Sequence, residues 1–369
     1  MRPALLPALL VSLALVACAS SAVAPDPATP TVAPTPTPVP TPAFLDPAQV
    51  PPLTLADIFS PRDLSQLRLD PSRLRTVIAT GDIIPARYTD VTIRQRGDDF
   101  LYPVAATQEI TSAADLTVVN LEAPLIEGCP YHDEGLIFCG RPGFVAALEA
   151  AGVDVVTLEN NHIGNWGTEG VDETVGHLEA ADIAWADRDT PHVTDVRGLS
   201  FGFLAFNGVE QPLDRQAMVA QIEALRPQVD VLAVAIHWGA EYVSIPQIAP
   251  GVAEDDPVEL AHLAVDSGAD LVIGNHPHWV QAVELYRGKF IAYAHGNYIF
   301  DQMWSYETRV GVLGRYTFYD DVLVGVEFLP TLIEDYAQPV PMAGAEGQAV
   351  LDRMRTASEE LAALVATAP

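Results

Sequence analysis

Basic residues are scarce in this chain. Its 369 residues include 19 lysines and arginines against 49 aspartates and glutamates, which gives a formal net charge of −30 at pH 7. Such an acidic chain is repelled by phosphate backbones and by anionic lipid headgroups, so nucleic acid and polyanionic membranes are excluded as main binding targets. A polyanionic substrate would be repelled in the same way unless metal ions supplied local positive charge. The composition is otherwise typical of an exported domain.

The N-terminus carries an apolar run, from Leu5 to Val16, that follows the positive charge of Arg2. The run is too short for a comfortable membrane span and is typical of a targeting segment. It ends in Leu15-Val16-Ala17-Cys18, which resembles the lipoprotein box of bacterial lipoproteins. The resemblance implies a signal peptide over residues 1–17 and acylation of Cys18, which would anchor the protein to the outer face of the bacterial cell membrane. The alternative is an ordinary secretory signal in which Cys18 has no role.

Bulky apolar residues are few in residues 18–52, where proline, threonine, alanine and valine dominate. Such a composition cannot form a packed core and favours extended polyproline conformations, so we predict a semi-rigid stalk. A proline-rich ligand for another protein is the alternative. Residues 53–369 show no internal repeat, and their length is acceptable for one large α/β domain with insertions.

Cysteine is also rare, with three residues in the chain, and Cys129 and Cys139 flank a short insertion. Disulfides persist in exported proteins, so we predict a bond between these two residues. A zinc site that also uses His132 is the alternative, although two thiolates and one imidazole make a small ligand set.

A pair of histidines follows a short apolar run. Leu271 to Ile273 is typical of a buried parallel strand, and His276 and His278 come after it with Pro277 between them. Proline disfavours the helical region for the residue before it, so we expect His276 to be extended. Alternate residues of an extended chain share a face, which would let both imidazoles bind one divalent cation.

Other apolar runs also end in side chains that can bind metal or transfer protons. These residues are Asp82 after 76–80, Asn120 and Glu122 after 117–119, Asn161 and His162 after 153–158, His237 and Glu241 after 231–236, and His295 and Asn297 after 291–294. In open α/β sheets, ligands bind outside the carboxyl ends of the strands, so these strand ends predict one composite site.

Sequence patterns typical of helices lie between the apolar runs. They predict helices over 104–114, over 142–151, and from Pro257 to an end at Gly268. This alternation predicts an α/β fold with a parallel sheet. Beyond Asp301, short strands are predicted at 311–319 and 322–328, antiparallel and at the sheet margin, and a last helix over 351–365.

Several motifs occur in a fixed order along residues 76–305: GDIIPAR, VVNLEAPL, TLENNHIGNWG, AIHWGAEY, GNHPHWVQ and AHGNYIFDQ. In this order and spacing they resemble the CapA family of poly-γ-glutamate capsule synthesis proteins. That family is similar to the calcineurin-like metallophosphoesterases. The relation implies a two-sheet sandwich flanked by helices, with a two-metal centre at the strand ends.

The resemblance also implies roles for single residues. The implied metal ligands are Asp82, Glu122, Asn161, His237, His276 and His278, with Glu122 in the place of the carboxylate that bridges two metals. His162 matches the histidine that acts on the reacting group, and Asn120, Glu241, His295 and Asn297 would support the ligands or contact the substrate. Such a ligand set suits one or two ions of manganese, iron or zinc better than calcium.

The chain departs from the implied pattern at a few positions. Ile84 stands where the phosphoesterases carry a histidine ligand, which would leave one metal position a ligand short. Asn165 stands where an aspartate is expected, Asn275 where histidine or a small residue is common, and His295 where leucine is usual. These departures bear on catalytic competence and leave the predicted fold unchanged.

Two functions are consistent with these features. The first is a metal-dependent hydrolase or transferase that acts on a cell-envelope polymer such as poly-γ-glutamate, or on a phosphoester, with a capsule synthesis complex as its expected partner. The second is a non-catalytic component that binds, anchors or exports the polymer and retains a vestigial metal site.

Overall fold

A computed structural model describes residues 44–367. The predicted signal peptide, the acylation site Cys18 and most of the predicted stalk lie outside these residues. Over the described range, no helix combines the length and the apolar character that a bilayer crossing requires.

Strands and helices alternate along the described chain. The strands are β1 (Leu74–Ile83), β2 (Leu116–Leu121), β3 (Val155–Thr157), β4 (Ala184–Ala186), β5 (His192–Val196), β6 (Leu199–Asn207), β7 (Val231–His237), β8 (Leu271–Asn275), β9 (Val283–Tyr286), β10 (Lys289–Ala292), β11 (Asn297–Ile299), β12 (Val310–Tyr319), β13 (Val322–Glu334) and β14 (Gln338–Pro341). The helices are α1 (Leu55–Phe59), α2 (Tyr88–Gln95), α3 (Gln108–Thr111), α4 (Val145–Ala150), α5 (Gly167–Ala180), α6 (Arg215–Leu225), α7 (Pro257–Ser267), α8 (Tyr306–Arg309) and α9 (Gly344–Thr367).

The strands form two sheets. The first has the order β14-β13-β12-β1-β2-β3-β4, with β11 paired to β1, and the second has the order β5-β6-β7-β8-β10-β9. Strands β1 to β4 run parallel, as do β6, β7, β8 and β10, which confirms the predicted parallel core. Strands β12 to β14 are antiparallel and form one side of the first sheet.

Apolar side chains fill the space between the sheets and the outer layers of helices. Residues such as Val118 of the first sheet and Phe203 of the second belong to one buried cluster between the sheets. Helices α6 and α7 cover the outer face of the second sheet, and α4 and α5 cover that of the first. Strands that are apolar on both faces require this double cover. The two-sheet sandwich flanked by helices is therefore confirmed.

Val50, which precedes the predicted domain boundary at residue 53, is buried against Leu69, Tyr319 and Val324. One local expectation is corrected. Residues 104–114 do not form one helix; a 3₁₀ turn at Tyr102–Val104 is followed by the short α3. The helix is interrupted at Thr107, whose hydroxyl bonds the hydroxyl of Tyr298 at 2.7 Å.

Glycines allow close backbone approach where the strands end. A Cβ atom on Gly81 would lie 2.0 Å from the carbonyl oxygen of Gly296, and one on Gly274 would lie 1.9 Å from that of Tyr293. Any side chain would therefore force the strands apart at these points. Gly81 immediately precedes Asp82, so this contact fixes the backbone that carries a candidate ligand.

Candidate metal centre

The carboxyl ends of the central strands lie side by side, and their register aligns the polar residues. In the first sheet Asp82 pairs with Asn120 on one side and with Asn297 on the other. In the second sheet His237 pairs with Asn275. The amide of Asn275 then donates across the gap between the sheets to Oδ1 of Asp82 at 2.9 Å. The predicted strand ends therefore meet at one site.

Two groups of potential ligand atoms share one carboxylate. Asp82, Glu122 and His237 each offer one ligand atom, and these atoms lie within 4.8 Å of one another; the same holds for Glu122, His276 and His278. All five side chains are buried. Glu122 belongs to both groups, which is the arrangement expected of a residue that bridges two ions.

Glu122 is an isolated buried carboxylate. It has no exposed surface, and neither of its oxygens accepts a hydrogen bond from residues 44–367. Nε2 of His237 lies 3.3 Å from Oε1 without hydrogen-bond geometry. Burial, reinforced by the charge of Asp82, raises the pKa of Glu122 well above its usual range. A carboxylate in this state requires a cation or a proton as its partner.

Asp82 is held in the opposite state by its neighbours. Burial opposes its ionisation, but the hydrogen bond and the charge of His278, the charge of His237 and the hydrogen bond from the amide of Asn120 hold the pKa of Asp82 below its usual range. Nδ1 of His278 lies 3.2 Å from Oδ2, and Nδ2 of Asn120 donates to Oδ1 at 2.8 Å. Asp82 is therefore an ionised carboxylate in a fixed orientation, as an oxygen ligand of a metal ion would need to be.

The three histidines of the ligand groups differ in protonation. Burial lowers the pKa of His237 to about 4 and that of His276 well below its usual value, so both are neutral near pH 7, as metal ligation requires. Neither ring nitrogen of His276 has a hydrogen-bond partner within the described chain. Burial also acts to lower the pKa of His278, but Asp82 and Glu122 outweigh it and raise the value to about 9. A metal at His278 would have to displace this proton.

Asn161 and His162 lie at the edge of the centre. Oδ1 of Asn161 is 2.9 Å from Nε2 of His237, which brings the amide oxygen to the first ligand group. His162 is only partly buried, and its Nδ1 lies 3.1 Å from Oδ1 of Asn165. Burial lowers the pKa of His162 to about 4. The ring is thus a neutral imidazole beside the ligand groups and outside both of them.

Two of the four predicted supporting residues contact the ligands closely. Asn120 bonds Asp82, as described above, and Oδ1 of Asn297 lies 2.9 Å from Nδ1 of His278. Glu241 is more distant, with Oε1 3.7 Å from Nε2 of His278, and it is exposed.

His295 makes no side-chain hydrogen bond to a residue of either ligand group within residues 44–367. Its Nε2 lies 2.7 Å from the hydroxyl of Tyr316, and its ring packs against Tyr316 and Phe328. The side chain is fully buried, so a substrate cannot reach it, and it belongs to neither ligand group. His295 is therefore a buried core residue.

The backbone at the histidine pair also corrects an expectation. His276 has a φ of 95° and His278 a φ of 54°, so neither is extended. The proline rule disfavours the right-handed helical region and does not exclude positive φ. The tight turn brings the N–H of His276 within 3.3 Å of Oδ2 of Asp82 and places the two rings 5.8 Å apart. Positive φ outside glycine costs energy and often marks a functional site.

Residues 76–302, which contain this centre, match the family model described as "Bacterial capsule synthesis protein PGA_cap". The chain belongs to this family. The match includes every residue of both ligand groups.

Among curated relatives of this PGA_cap chain, the PGA biosynthesis protein CapA of Bacillus subtilis is 27% identical in an alignment of 285 residues that covers 71% of this chain and 72% of the relative. A probable polyglutamine synthesis accessory protein of Mycobacterium tuberculosis is 30% identical in an alignment of 223 residues that covers 52% of this chain and 57% of the relative. These relatives associate the family with capsule and polyglutamate synthesis.

Solved structures resemble the PGA_cap chain more remotely. A putative 5′-nucleotidase from Staphylococcus aureus has a TM-score of 0.45 at 15% identity, covering 77% of this chain and 58% of its own. A hypothetical protein from Thermus thermophilus has a TM-score of 0.46 at 17% identity, covering 70% of this chain and 100% of its own. Similarity at this level does not indicate which reaction the PGA_cap chain performs.

Sequence reasoning missed two asparagines of this PGA_cap centre. Asn160 donates to Oδ1 of Asn120 at 3.0 Å, and its own Oδ1 accepts the backbone N–H of His162 at 3.2 Å. Asn275 holds Asp82 from the second sheet. The doubled Asn160-Asn161 was a usable signal, because asparagine side chains commonly bond the backbone of a turn that they begin.

The implied histidine ligand is replaced by an apolar cluster. Ile84 has no exposed surface and packs with Ala86, Ala123, Phe138 and Phe300. The PGA_cap centre therefore receives no ligand from this position.

The predicted cysteine pair is bonded in the structure. Cys129 and Cys139 form a disulfide with their Cα atoms 5.9 Å apart. Disulfide sulfurs are not thiolates and do not bind zinc, so the alternative site with His132 does not apply to this form. Nδ1 of His132 instead lies 2.9 Å from the carbonyl oxygen of Pro130.

Proposed function

We propose that this PGA_cap protein is a metal-dependent hydrolase or transferase that acts in the synthesis of a cell-envelope polymer such as poly-γ-glutamate. The observation that carries the proposal is Glu122, a fully buried carboxylate without a hydrogen-bond donor in the described chain and shared by two ligand groups. His276, buried with both ring nitrogens unpartnered among the described residues, supports it. Isolated buried groups of this kind are costly unless they bind a ligand.

The residues fit one or two transition-metal ions. Glu122 would contribute to both positions, Asp82, Asn161 and His237 to one side of it, and His276 and His278 to the other. Carboxylate, amide and imidazole donors suit manganese, iron or zinc. Such ions, when bound, act as Lewis acids and lower the pKa of water, which suits hydrolysis or transfer at a phosphoester or an acyl group.

His162 would move the proton. The backbone N–H of Phe138 donates to Oδ1 of Asn165 at 2.7 Å, so this oxygen is an acceptor and Nδ1 of His162 carries the hydrogen that points to it. Nε2 of the neutral imidazole is then the atom that accepts a proton from the reacting group or returns one to it. Catalysis of this kind typically contributes about 10²–10⁴-fold in rate.

Ile84 favours the second candidate function, a non-catalytic polymer-binding component. With an apolar residue at that position, one ion would have fewer protein ligands and would be held weakly. We therefore expect fewer than two tightly bound ions per chain after dialysis, and the same measurement tests both functions.

The experiment compares His276→Ala with His162→Gln. The first should lower metal content and melting temperature together, because metal binding stabilises the native state by mass action. The second should leave both nearly unchanged and remove most turnover of a generic aryl phosphate ester. If the wild type holds no metal after reconstitution with manganese, iron and zinc, the enzyme reading is refuted and the polymer-binding function is favoured.

We also propose that the protein is exported and anchored through an acylated Cys18 at the outer face of the cell membrane. The motif Leu15-Val16-Ala17-Cys18 supports this location. Cys18→Ser should move the protein from the detergent phase to the aqueous phase on fractionation. Retention of the variant in the detergent phase would refute the anchor.

A further inference from the structure

The loop closed by Cys129 and Cys139, residues 129–139, forms one wall of the candidate centre. It is inserted after Glu122 and is closed at its base, where the N–H of Ile126 donates to the carbonyl of Gly140 at 3.0 Å. Phe138, within this disulfide loop, is 1% exposed, and its ring centroid lies 4.4 Å from that of His162. This loop contains none of the proposed metal ligands, yet it contacts His162, the proposed proton-transfer residue, directly.

A polar contact joins the same residues. The backbone N–H of Phe138 and Nδ1 of His162 both lie within hydrogen-bond distance of Oδ1 of Asn165, at 2.7 and 3.1 Å. One amide oxygen thus binds the loop and the imidazole together. Displacing the loop would remove the contact that fixes the Asn165 amide, and with it the orientation of the His162 ring.

The outer side of the loop is held by Arg87. Its guanidinium lies 5.0 Å from the ring centroids of both Phe138 and Phe300, and Nη1 donates to the carbonyl of Gly135 at 3.1 Å. Arg87 also forms an ion pair with the buried carboxylate of Asp301. Its φ of 51° is unfavourable for a residue with a side chain, so these contacts must hold the backbone in place.

We propose that the disulfide loop, with Phe138 and Asn165, is a positioning element for His162. In this role the disulfide controls turnover, while the metal is held by other residues. The proposal rests on the proposed function, since it assigns a role within that reaction. The loop supplies no metal ligand of its own while the disulfide is intact, so positioning and metal binding are separable.

The test opens the loop with the double substitution Cys129→Ser and Cys139→Ser. We expect kcat for an aryl phosphate to fall about tenfold to a hundredfold, as when a reacting group moves by about 1 Å, while KM and metal content stay at wild-type values. Carbethoxylation of His162 by diethyl pyrocarbonate, followed by peptide mass spectrometry, should become several-fold faster. Leu136→Ser is the matched control, because this side chain is 71% exposed at the tip of the loop, and it should change none of these values.

A second pair of variants leaves the disulfide intact. Asn165→Leu removes the acceptor and should reproduce the loss of kcat and the faster modification, whereas Asn165→Asp keeps an acceptor and should largely restore both. If the opened loop and Asn165→Leu both retain wild-type kcat and the wild-type modification rate of His162, the proposal is overturned. If the wild type itself binds metal without turnover, the proposed function fails, and the modification rates alone decide whether the loop positions His162.

Discussion

Replacing Glu122 by glutamine should abolish the stabilising effect of metal. Glutamine has the shape of the protonated carboxyl, and burial beside Asp82 already favours that neutral form in the metal-free protein. The change should therefore alter the free energy of unfolding of the metal-free protein by less than about 1 kcal/mol, since each form leaves similar polar atoms unpaired. In the presence of metal, the variant should lose the shared ligand of both groups.

The loss can be estimated from mass action. Metal at about 100 times its Kd stabilises the native state by about 2.7 kcal/mol. For a domain of this size, each kcal/mol corresponds to roughly 2 °C in melting temperature. The gap between wild type and Glu122→Gln should therefore be about 5 °C in excess manganese and close to zero in chelator.

Calorimetry of both proteins with chelator and with manganese measures this gap. Glu284→Gln is a matched control, because Glu284 is a largely buried carboxylate that bonds Tyr293 at 2.7 Å outside both ligand groups. It should lower the melting temperature by the same amount in both conditions. An equal gap for Glu122→Gln with and without metal would refute the assignment of Glu122 as the shared ligand.

Three further outcomes are expected. The hydrogen bond from Arg62 lowers the pKa of Asp57 to about 2. The ionised Asp57 therefore stabilises the folded protein above the unfolded pKa, and this contribution is lost as the pH falls towards 2. Asp57→Asn should lower the free energy of unfolding by about 1 kcal/mol at pH 7 and should have no effect near pH 2, as measured in acid titrations of unfolding. Gly274→Ala should cost about 3 kcal/mol or prevent folding, because its Cβ would lie 1.9 Å from a backbone carbonyl oxygen, and unfolding in urea measures the loss. Tyr316→Phe leaves buried Nε2 of His295 unpaired and should cost about 1–3 kcal/mol without changing metal content by elemental analysis. A stable Gly274→Ala protein, or metal loss in Tyr316→Phe, would contradict these assignments.

The sequence predicts where the strands end, but it does not predict which residues of neighbouring strands lie side by side. Apolar runs that end in Asp82, Glu122 and His237 indicate parallel strands with a shared polar edge, because burial on both faces demands continuous apolar residues. The pairing of Asp82 with Asn120, and of His237 with Asn275, depends on strand order and register. Local sequence does not contain that order.

The turn at the histidine pair shows a second limit. Local rules place His276 outside the helical region, but the choice between an extended and a positive-φ backbone is made by distant partners. Here the partner is Asp82, whose carboxylate accepts the N–H of His276 at 3.3 Å. The partner of His295 could not be predicted for the same reason, since Tyr316 comes from a strand that follows the motif region.

The apolar cluster around Ile84 opposes the introduction of a histidine ligand at this position. Histidine at this position would place a polar ring among Ala123, Phe138 and Phe300, and would displace Phe138, the side chain that contacts His162. A single Ile84→His substitution would therefore disturb the orientation of His162 before it improved metal binding. Ile84 and the disulfide loop would have to change together, so the design of a site with an added histidine ligand would have to begin with Phe138.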